Sequence, residues 1–255
     1  MIPYLKGACQ TDAAAFGDSM IQERRKRTEA LIGVDAVQLL CDATVLLFGL
    51  GGVGGYALEA IARSGVGRIC IVDFDTVSES NCNRQILAVT ESVGRKKTAL
   101  AVERIRSINP SAEIVVFDCF ADESNVAGIF ETARPSYVID AVDTVSAKLA
   151  IICEAKKRGV PLISCMGTGN KLDATKFTIG DLEKSTTCPL ARVMRTELRK
   201  RNVKGVTALW STEAPQSAVT DSENGRHAPA SISYVPAVAG LLLAGHVIRS
   251  IIGIS

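Results

Sequence analysis

Short apolar runs alternate with longer segments of helical periodicity between residues 44 and 164. The runs contain many β-branched residues and show no in/out alternation, which is typical of strands buried on both faces of a sheet. They lie at residues 44–48, 68–72, 113–117, 137–140 and 160–164. Helices are predicted between them at residues 52–63, 95–107, 125–132 and 145–158. This order predicts an α/β fold with a doubly wound, mostly parallel sheet and helices on both faces.

The regions on either side of this core have other patterns. Residues 21–40 combine a basic run with apolar positions such as Leu31 and Val34, and we expect them to form a helix packed across the edge of the sheet. Residues 212–231 are rich in Ser, Thr, Pro, Asn and Gly, which predicts a long mobile crossover loop. We also expect an added antiparallel part in the C-terminal region.

The composition is that of an ordinary folded domain. Hydrophobic residues make up 47% and charged residues 22% of the 255 residues, so the chain can bury a sizeable core without a metal or a disulfide. The net charge of +2 excludes binding of polyanions through overall charge. Residues 234–253 approach the length of a membrane span, but Pro236, His246 and Arg249 favour a buried helix, with membrane contact left as the alternative.

The cysteine pattern favours a reducing compartment. The chain has eight cysteines, at positions 9, 41, 70, 82, 119, 153, 165 and 188, and no Cys-x-x-Cys pair. The start of the sequence contains no secretory apolar run. We therefore expect reduced thiols in a cytoplasmic protein and no structural zinc.

A glycine-rich turn follows the first predicted strand. It has the pattern Gly-x-Gly-Gly-x-Gly and opens a helix, where bare backbone N–H groups and the helix dipole attract phosphate. Its glycines are Gly49, Gly51, Gly52 and Gly54. Asp73 ends the second predicted strand, where a carboxylate accepts hydrogen bonds from ribose hydroxyls. These features predict a Rossmann-like nucleotide site that fits NAD and ATP equally; a glycine turn without a ligand is the alternative.

Polar side chains concentrate after Asp73 and after the fourth predicted strand. They are Asp75, Asn81, Arg84, Lys97 and Asp143. Hydride transfer does not need this density, whereas adenylation does, because a carboxylate must approach the anionic α-phosphate of ATP while pyrophosphate leaves. Arg84 and Lys97 can neutralise phosphate oxygens, Asn81 can hydrogen-bond them, and Asp143 can hold Mg²⁺.

Each of these residues also fits an ordinary structural role. Asn81 can end a turn, Arg84 can form a surface ion pair, and Lys97 can be a solvated lysine. Asp143 can be the N-cap of the following helix. Because all of them follow strand ends at one edge of the predicted sheet, the set together favours a magnesium–nucleotide site.

The whole motif resembles the ubiquitin-activating-like adenylating superfamily, the ThiF/MoeB/HesA type. The matching segments are residues 49–54, 73–85, Lys97 and 140–143. The resemblance implies ATP-dependent adenylation of a carboxylate and a homodimer in which an N-terminal arginine reaches the neighbouring subunit's ATP. Arg27 matches that arginine, with Arg24 as a second candidate. A solvated basic face is the alternative for this run.

The distal part of the chain separates two branches of this superfamily. Sulfur-carrier adenylating enzymes usually bind zinc through two Cys-x-x-Cys pairs, and this sequence has neither pair. Residues 186–201, 211–213 and 231–240 look like the tRNA threonylcarbamoyladenosine dehydratase branch. That branch implies adenylation of the free carboxylate of a modified base beside the anticodon, followed by intramolecular closure to a cyclic form, which needs no protein nucleophile.

Two other functions stay open on the sequence. The first is adenylation of the C-terminal glycine of a ubiquitin-like sulfur-carrier protein, and a sulfur-relay or carrier protein is correspondingly a candidate partner. The second is a nonenzymatic nucleotide-binding partner or an NAD oxidoreductase. With the leading function, we expect one adenylation domain over residues 1–255, composed of a helical arm (1–43), a nucleotide-binding core (44–170) and a substrate-side extension (171–255).

A tRNA substrate gives a meaning to the basic residues near position 195. Residues 190–204 predict a helix with an apolar stripe of Leu190, Val193, Met194 and Leu198. The basic residues Arg192, Arg195 and Arg199 are expected to project together, followed by Lys200, Arg201 and Lys204. They can bind RNA phosphates, and a solubilising face is the alternative.

Cys188 precedes Pro189 at the predicted start of this helix. Related ubiquitin-activating enzymes transfer the acyl group to a distal cysteine, and a helix N-terminus lowers a thiol pKa. A structural or incidental cysteine is the favoured interpretation, so Cys188 is at most an auxiliary residue. His227 and His246 have no catalytic neighbours in the sequence and receive no role.

Overall fold

The computed structural model describes residues 23–216 and 229–254 of the chain. The strands are β1 (Thr44–Phe48), β2 (Arg68–Val72), β3 (Glu113–Phe117), β4 (Tyr137–Asp140), β5 (Leu162–Cys165), β6 (Phe177–Asp181) and β7 (Thr207–Ser211). The helices are α1 (23–32), α2 (Val34–Asp42), α3 (Gly54–Arg63), α4 (Lys97–Ile108), α5 (Val126–Ala133), α6 (Val145–Arg158), α7 (Pro189–Lys200) and α8 (Tyr234–Ile251). Short 3₁₀ turns lie at Glu79–Asn81, Thr90–Ser92, Ala174–Lys176 and Leu182–Lys184.

The strands form one sheet in the order β3-β2-β1-β4-β5-β7-β6. All neighbouring pairs are parallel except β6 and β7, which are antiparallel. The predicted fold, a doubly wound and mostly parallel sheet with an added antiparallel part, is therefore confirmed. Phe48 is paired with Val72 on one side and Asp140 on the other, so β1, β2 and β4 end at the same edge. The chain winds in opposite directions from β1, which makes the gap between β1 and β4 the switch point where such sheets bind ligands.

Helices cover both faces of the sheet. Alternate residues of β1 point to opposite sides, so Leu46 and Phe48 pack under α5, α6 and α7. Val45 and Leu47 pack under α3, α4 and α8. This double burial explains why the strands read as continuous apolar runs in the sequence.

Most predicted boundaries lie within two residues of the observed ones. The strand predicted at 160–164 is Leu162–Cys165, because Pro161 has no N–H to donate to a strand ladder. Helix α4 begins at Lys97 and not at residue 95, because Lys96 pairs with Thr76 in an isolated antiparallel bridge. Residues 217–228 of the predicted crossover loop lie outside the described residues.

The N-terminal arm is helical, but the prediction that it packs across the sheet edge is wrong. Gly33, with φ of 84°, divides it into α1 and α2. The Arg24 guanidinium donates to the last carbonyl of α4, at Ile108 (3.0 Å), and Arg25 contacts Cys41. Since α4 runs antiparallel to the strands, the arm lies at their amino ends. Its Leu31 side chain is 84% exposed, because the arm touches the core only through its second half.

Within the described ranges, α8 alone is long and apolar enough to cross a membrane by length and composition. It packs closely along α3, since a Cβ built on Gly240 would lie 2.2 Å from the Val53 carbonyl oxygen. Leu243 and Val247 are fully buried in the core. One face of α8 is therefore buried as predicted, whereas Leu241 and Leu242 on the other face are 48% and 38% exposed.

Candidate nucleotide site

The glycine turn between β1 and α3 requires small residues for two separate reasons. Gly49 has φ of 88°, and its Cβ would lie 2.9 Å from the Ala141 carbonyl oxygen. A Cβ on Gly54 would lie only 1.8 Å from the Gly49 carbonyl oxygen. The backbone can therefore turn tightly into α3 and present its N–H groups at the edge of the sheet. No side chain caps the N-terminus of α3 among the described residues, so this end is suited to an anion.

Asp73 fastens this turn to the end of β2. Its Oδ2 atom accepts the Leu50 N–H at 2.6 Å, and its Oδ1 atom accepts the Asp75 N–H at 2.8 Å. Burial raises the pKa of the Asp73 carboxyl, and the N–H groups and the Lys97 charge oppose this rise. The carboxylate has further lone pairs for ribose hydroxyls. The structure thus places Asp73 where the sequence predicted it and gives it a second role in shaping the turn.

Lys97 is not the solvated lysine that the sequence left as an alternative. Its side chain is 6% exposed, and its Nζ atom lies 2.8 Å from Asp75 Oδ2. The Lys97 backbone N–H also donates to the Asp75 carbonyl at 3.1 Å, which joins the start of α4 to the loop after β2. Asp75 therefore holds the ammonium group near Asp73, the carboxylate that fastens the glycine turn.

Asn81 and Arg84 lie on the loop between β2 and α4. Asn81 is buried, and its Oδ1 atom accepts the Ser78 N–H at 3.2 Å. Arg84 donates to the Ser80 carbonyl at 3.0 Å, and its Cγ atom lies 3.4 Å from the Cβ position on Gly52. The Arg84 side chain thus lies against the glycine turn, its guanidinium also donates to Asn83 Oδ1, and within residues 23–216 and 229–254 it forms no ion pair.

Gln85 was missed as a site residue. It is 8% exposed, and its Nε2 atom lies 3.9 Å from the Cβ position on Gly51. Its Oε1 atom is buried and has no hydrogen-bond partner among the described residues. A buried amide beside an anion-binding turn is a candidate ligand contact. The only sequence signal for Gln85 as a site residue was its position directly after Arg84 in the motif.

Asp143 follows β4 and faces solvent at the same edge. The interpretation of Asp143 as the N-cap of α6 is wrong, because Thr144 occupies the cap position. The one hydrogen bond that the described structure shows for the Asp143 carboxylate is a long one from Thr144 Oγ1, at 3.4 Å. The loop after β4 contacts the glycine turn through Ala141, two residues before Asp143.

A buried ion pair lies beneath this loop. No role was predicted for its lysine from the sequence. Lys148 Nζ lies 2.9 Å from Asp140 Oδ2, and both side chains have no exposed surface. Ser164 Oγ donates to the same carboxylate oxygen at 2.6 Å. The sequence signal for this ion pair was the position of Lys148 on the buried face of α6, because a buried lysine requires a buried partner.

The described residues contain no group of three His, Cys, Asp or Glu side chains that could hold a metal ion. Asp143 is thus a single exposed carboxylate beside an anion-binding turn. This donor set fits Mg²⁺, which is often bound by one or two carboxylates together with substrate phosphates and water. It does not fit a structural zinc site, which requires four protein ligands.

One of the segments that resembled one branch of the superfamily, residues 231–240, contacts this site. Pro236 lies 3.2 Å from the Cβ position on Gly52, and Asn83 Nδ2 donates to the Ser231 carbonyl at 3.2 Å. The Glu213 carboxylate accepts the N–H groups of Leu172 and Asp173, at 3.0 and 2.9 Å. Segment 231–240 thus packs against the glycine turn, whereas Glu213, after β7, holds the backbone of residues 172 and 173.

Comparison with known proteins matches residues 24–255 to the ThiF family. The chain belongs to the ThiF family. The tRNA threonylcarbamoyladenosine dehydratase of Bacillus subtilis (strain 168) is 42% identical over 238 residues, which cover 89% of this chain and 93% of that protein. The dehydratase of Escherichia coli (strain K12) is 40% identical over 207 residues, 77% of each chain. The predicted resemblance is confirmed.

A solved structure agrees with this membership. The crystal structure of E. coli tRNA N6-threonylcarbamoyladenosine dehydratase, TcdA, in complex with ATP has a TM-score of 0.83 and 34% identity. The match covers 91% of this chain and 95% of that chain. The complex of the same enzyme with AMP has a TM-score of 0.84 and 35% identity.

In this member of the ThiF family, Arg27 lies apart from the other predicted site residues. It is exposed on α1, at the amino ends of the strands, whereas the glycine turn lies at their carboxyl ends. Arg24 and Arg25 on the same helix contact Ile108 and Cys41. The structure therefore does not bring Arg27 to the nucleotide site of its own chain.

The predicted basic strip on α7 is only partly a free surface. Ala191, Met194 and Leu198 are buried, whereas Val193 is 45% exposed, so its assignment to the apolar stripe is wrong. Two helical positions correspond to a rotation of about 200°, which turns Val193 away from Ala191. Arg195 does not project with its neighbours, because it donates to the Ser185 carbonyl at 2.6 Å.

Two pairs of basic residues on α7 differ in their surroundings. Lys200 and Arg201 pair with Glu197 at 2.6 and 2.8 Å. Arg192 and Arg199 are exposed and form no ion pair in the part of the chain that the structure describes. Only the second pair is free to meet a polyanion.

Cys188 is the N-cap residue of α7 and is 3% exposed. Its Sγ atom lies 3.6 Å from the Cβ position on Gly167, within the core under the sheet. A thiol in this position cannot receive an acyl group without local opening of the fold. The structure thus supports the interpretation of Cys188 as a buried core residue.

Replacing Cys188 by alanine is expected to leave the rate of pyrophosphate release within about threefold of the wild type. Loss of the buried sulfur should lower the free energy of unfolding by only about 1–2 kcal/mol. The matched control is Cys70→Ala, which removes a buried thiol from β2. Loss of turnover in Cys188→Ala with ATP binding intact would instead assign a thioester step to this residue.

Proposed function

We propose that this protein is an ATP-dependent tRNA threonylcarbamoyladenosine dehydratase. The observation that carries the proposal is the 42% identity to the B. subtilis dehydratase over 89% of the chain, which includes the distal segments as well as the nucleotide core. The geometry supports it, because the distal segment 231–240 contacts the nucleotide core, with Pro236 against Gly52 and the Ser231 carbonyl accepting from Asn83. The substrate would be the free carboxylate of threonylcarbamoyladenosine beside the tRNA anticodon.

The chemistry needs two steps. In the first, a carboxylate oxygen of the modification bonds to the α-phosphorus of ATP, and the bond to pyrophosphate breaks. In the second, the carbamoyl group of the same modification attacks the activated carbonyl carbon, and AMP leaves. The balance is loss of one water from the nucleoside with conversion of ATP to AMP and pyrophosphate.

The residues of the site suit the first step. Lys97 and Arg84 offer positive charge where the phosphate charge redistributes, and the α3 N-terminus offers backbone N–H groups. Asp73 would bind the ribose, and Asn81 would hydrogen-bond the phosphates. The second step is intramolecular, so its high effective concentration removes the need for a protein nucleophile.

Mg²⁺ belongs to this proposal through Asp143. The ion would be held by the Asp143 carboxylate together with phosphate oxygens of ATP and water, and it would neutralise charge on the triphosphate. The supporting observation is the exposed carboxylate with one long hydrogen bond from a hydroxyl.

The decisive experiment measures pyrophosphate release by the pure protein with ATP and Mg²⁺. Cellular tRNA that carries threonylcarbamoyladenosine is compared with tRNA that lacks it, and mass spectrometry follows the nucleoside. We expect release only with the modified tRNA, coupled to loss of one water. Release that requires an added carrier protein would favour adenylation of a carrier, and absence of release would reduce the site to nucleotide binding.

We propose a homodimer in which Arg27 reaches the partner's ATP. The supporting observation is that α1 lies at the end of the sheet opposite its own glycine turn. A mixture of Arg27→Ala and Asp143→Ala subunits tests this. Verified heterodimers should regain about half of the wild-type rate, because one of their two sites is complete. No gain in activity over the separate variants would contradict action across the interface.

We also propose that Arg192 and Arg199 bind tRNA phosphates. Replacing both by glutamine is expected to raise the KM for tRNA and to reduce the slope of log KM against log salt by about two, since two phosphate contacts are lost. The control is Lys200→Gln/Arg201→Gln, which removes the same charge from residues paired with Glu197. An equal effect of both double variants would point to net charge alone.

The remaining parts of the proposal concern the whole chain. We place the protein in the cytoplasm, with tRNA as partner and a sulfur-relay or carrier protein as a further candidate. Residues 1–43, 44–170 and 171–255 would act as arm, nucleotide-binding core and substrate-side extension of one adenylation domain. Pairing of β5 with β7 supports a single domain, because it continues the sheet across residue 170.

A further inference from the structure

Lys148 makes one more contact than a neutralising role requires. Its Nζ atom donates to Asp140 Oδ2 at 2.9 Å and also to the Val142 carbonyl oxygen at 2.9 Å. The first contact balances the charge of a buried carboxylate. The second links α6 to the loop that follows β4, one residue before Asp143.

Both backbone polar groups of Val142 form hydrogen bonds. Its N–H donates to Asp140 Oδ1 at 3.3 Å, and its carbonyl accepts from Lys148. The Ala141 N–H donates to the Phe48 carbonyl at 2.9 Å, which ties the same loop to β1. These bonds leave the peptide that leads into Asp143 little freedom to rotate.

This network also reaches the glycine turn. The Ala141 carbonyl oxygen lies against Gly49, where a Cβ atom would approach it to 2.9 Å. The turn and the Phe48 carbonyl therefore hold Ala141 without help from Lys148, whereas Lys148 holds the Val142 carbonyl just beyond it. The network connects the exposed Asp143 carboxylate and the phosphate-binding turn to one buried ammonium group.

We infer that Lys148 is a positioning residue that holds the Val142 carbonyl, so that Asp143 presents its carboxylate to Mg²⁺·ATP. Lys148 does not touch the nucleotide. The inference rests on the proposed binding of Mg²⁺ and ATP but not on the identity of the acyl substrate.

The test separates this positioning from simple charge balance. In the double variant Asp140→Asn/Lys148→Met, both charges are removed together, and the new asparagine side chain retains an oxygen for the Val142 N–H. The bond to the Val142 carbonyl is lost, and no unpaired charge stays in the core. The control is Lys156→Met, which removes another lysine–carbonyl hydrogen bond of α6, to Gly205, far from the site.

The first readout is binding of a nonhydrolysable ATP analogue, measured by calorimetry with and without Mg²⁺. For the double variant we expect a folded protein that binds the analogue alone as the wild type does but gains no affinity from Mg²⁺. The control should keep the wild-type gain. This measurement uses no tRNA. It therefore tests the role of Lys148 even if the protein does not catalyse the proposed dehydratase reaction.

The second readout is the rate of pyrophosphate release at increasing Mg²⁺. A displaced carboxylate should lower kcat by about 10²-fold and raise the Mg²⁺ concentration for half-maximal rate, because misplacement by about 1 Å has effects of this size. The KM for tRNA should stay unchanged. A wild-type response to Mg²⁺ in the folded double variant would overturn the inference, and so would a double variant that does not fold, since Lys148 would then serve the core alone.

Discussion

Asparagine in place of Asp143 is expected to lower the rate of pyrophosphate release by about 10²–10³-fold, the size of effect seen when one group that stabilises the transition state is lost. The substitution keeps the shape and removes the negative charge that attracts Mg²⁺. Because Asp143 is exposed and does not occupy the N-cap position of α6, the free energy of unfolding should change by less than about 0.5 kcal/mol.

The measurement compares initial rates at saturating ATP and modified tRNA, with urea unfolding as a check on the fold. Glu123→Gln is the matched control, since it removes an exposed carboxylate from another loop. Its rate should equal that of the wild type. A rate within threefold of wild type in Asp143→Asn would remove Asp143 from the proposed metal site.

The second large effect is on stability. Replacing Lys148 alone by methionine should lower the free energy of unfolding by about 3–5 kcal/mol, because Asp140 would stay buried without a partner for its charge. Urea unfolding at one fixed protein concentration measures this. The double variant Asp140→Asn/Lys148→Met should recover most of the loss, since it leaves no unpaired charge.

The variant Lys156→Met is the control for the destabilisation expected from Lys148→Met. Lys156 is exposed and donates to the Gly205 carbonyl from the same helix, so its loss should cost about 1 kcal/mol or less. Equal destabilisation by Lys148→Met and Lys156→Met would show that the buried pair adds nothing to the stability of the fold.

The sequence predicted β1, β2, β4 and β5 well because these strands are buried on both faces. The edge strand β3 has its predicted bounds, but the expected burial on both faces is wrong for it, since Val116 is 42% exposed. A strand such as Thr44–Phe48 can be predicted from its own apolar residues, without information from the strands beside it. The glycine turn is equally local, since Gly49 and Gly54 face backbone atoms that leave no room for a side chain. The same holds for Asp73, whose position at the end of a strand places it near that turn.

The places where prediction was wrong depend on distant parts of the chain. Val193 has the helical spacing of a core residue, but the side of α7 that meets α6 is set by how the two helices pack. The arm has an amphipathic pattern, yet contacts with Ile108 and Cys41 place it at the amino ends of the strands. No local pattern contains this information.

The sequence by itself determined the class of fold, the nucleotide-binding turn and the acidic and basic residues around it, because periodicity and turn geometry are properties of short segments. Only the tertiary structure decided which charges are buried together. It paired Lys148 with Asp140 and Lys97 with Asp75, set Gln85 beside the turn, and separated Arg27 from its own site. Such contacts join residues far apart in the chain, and the free energy of burying a charge depends on the partner that folding brings to it.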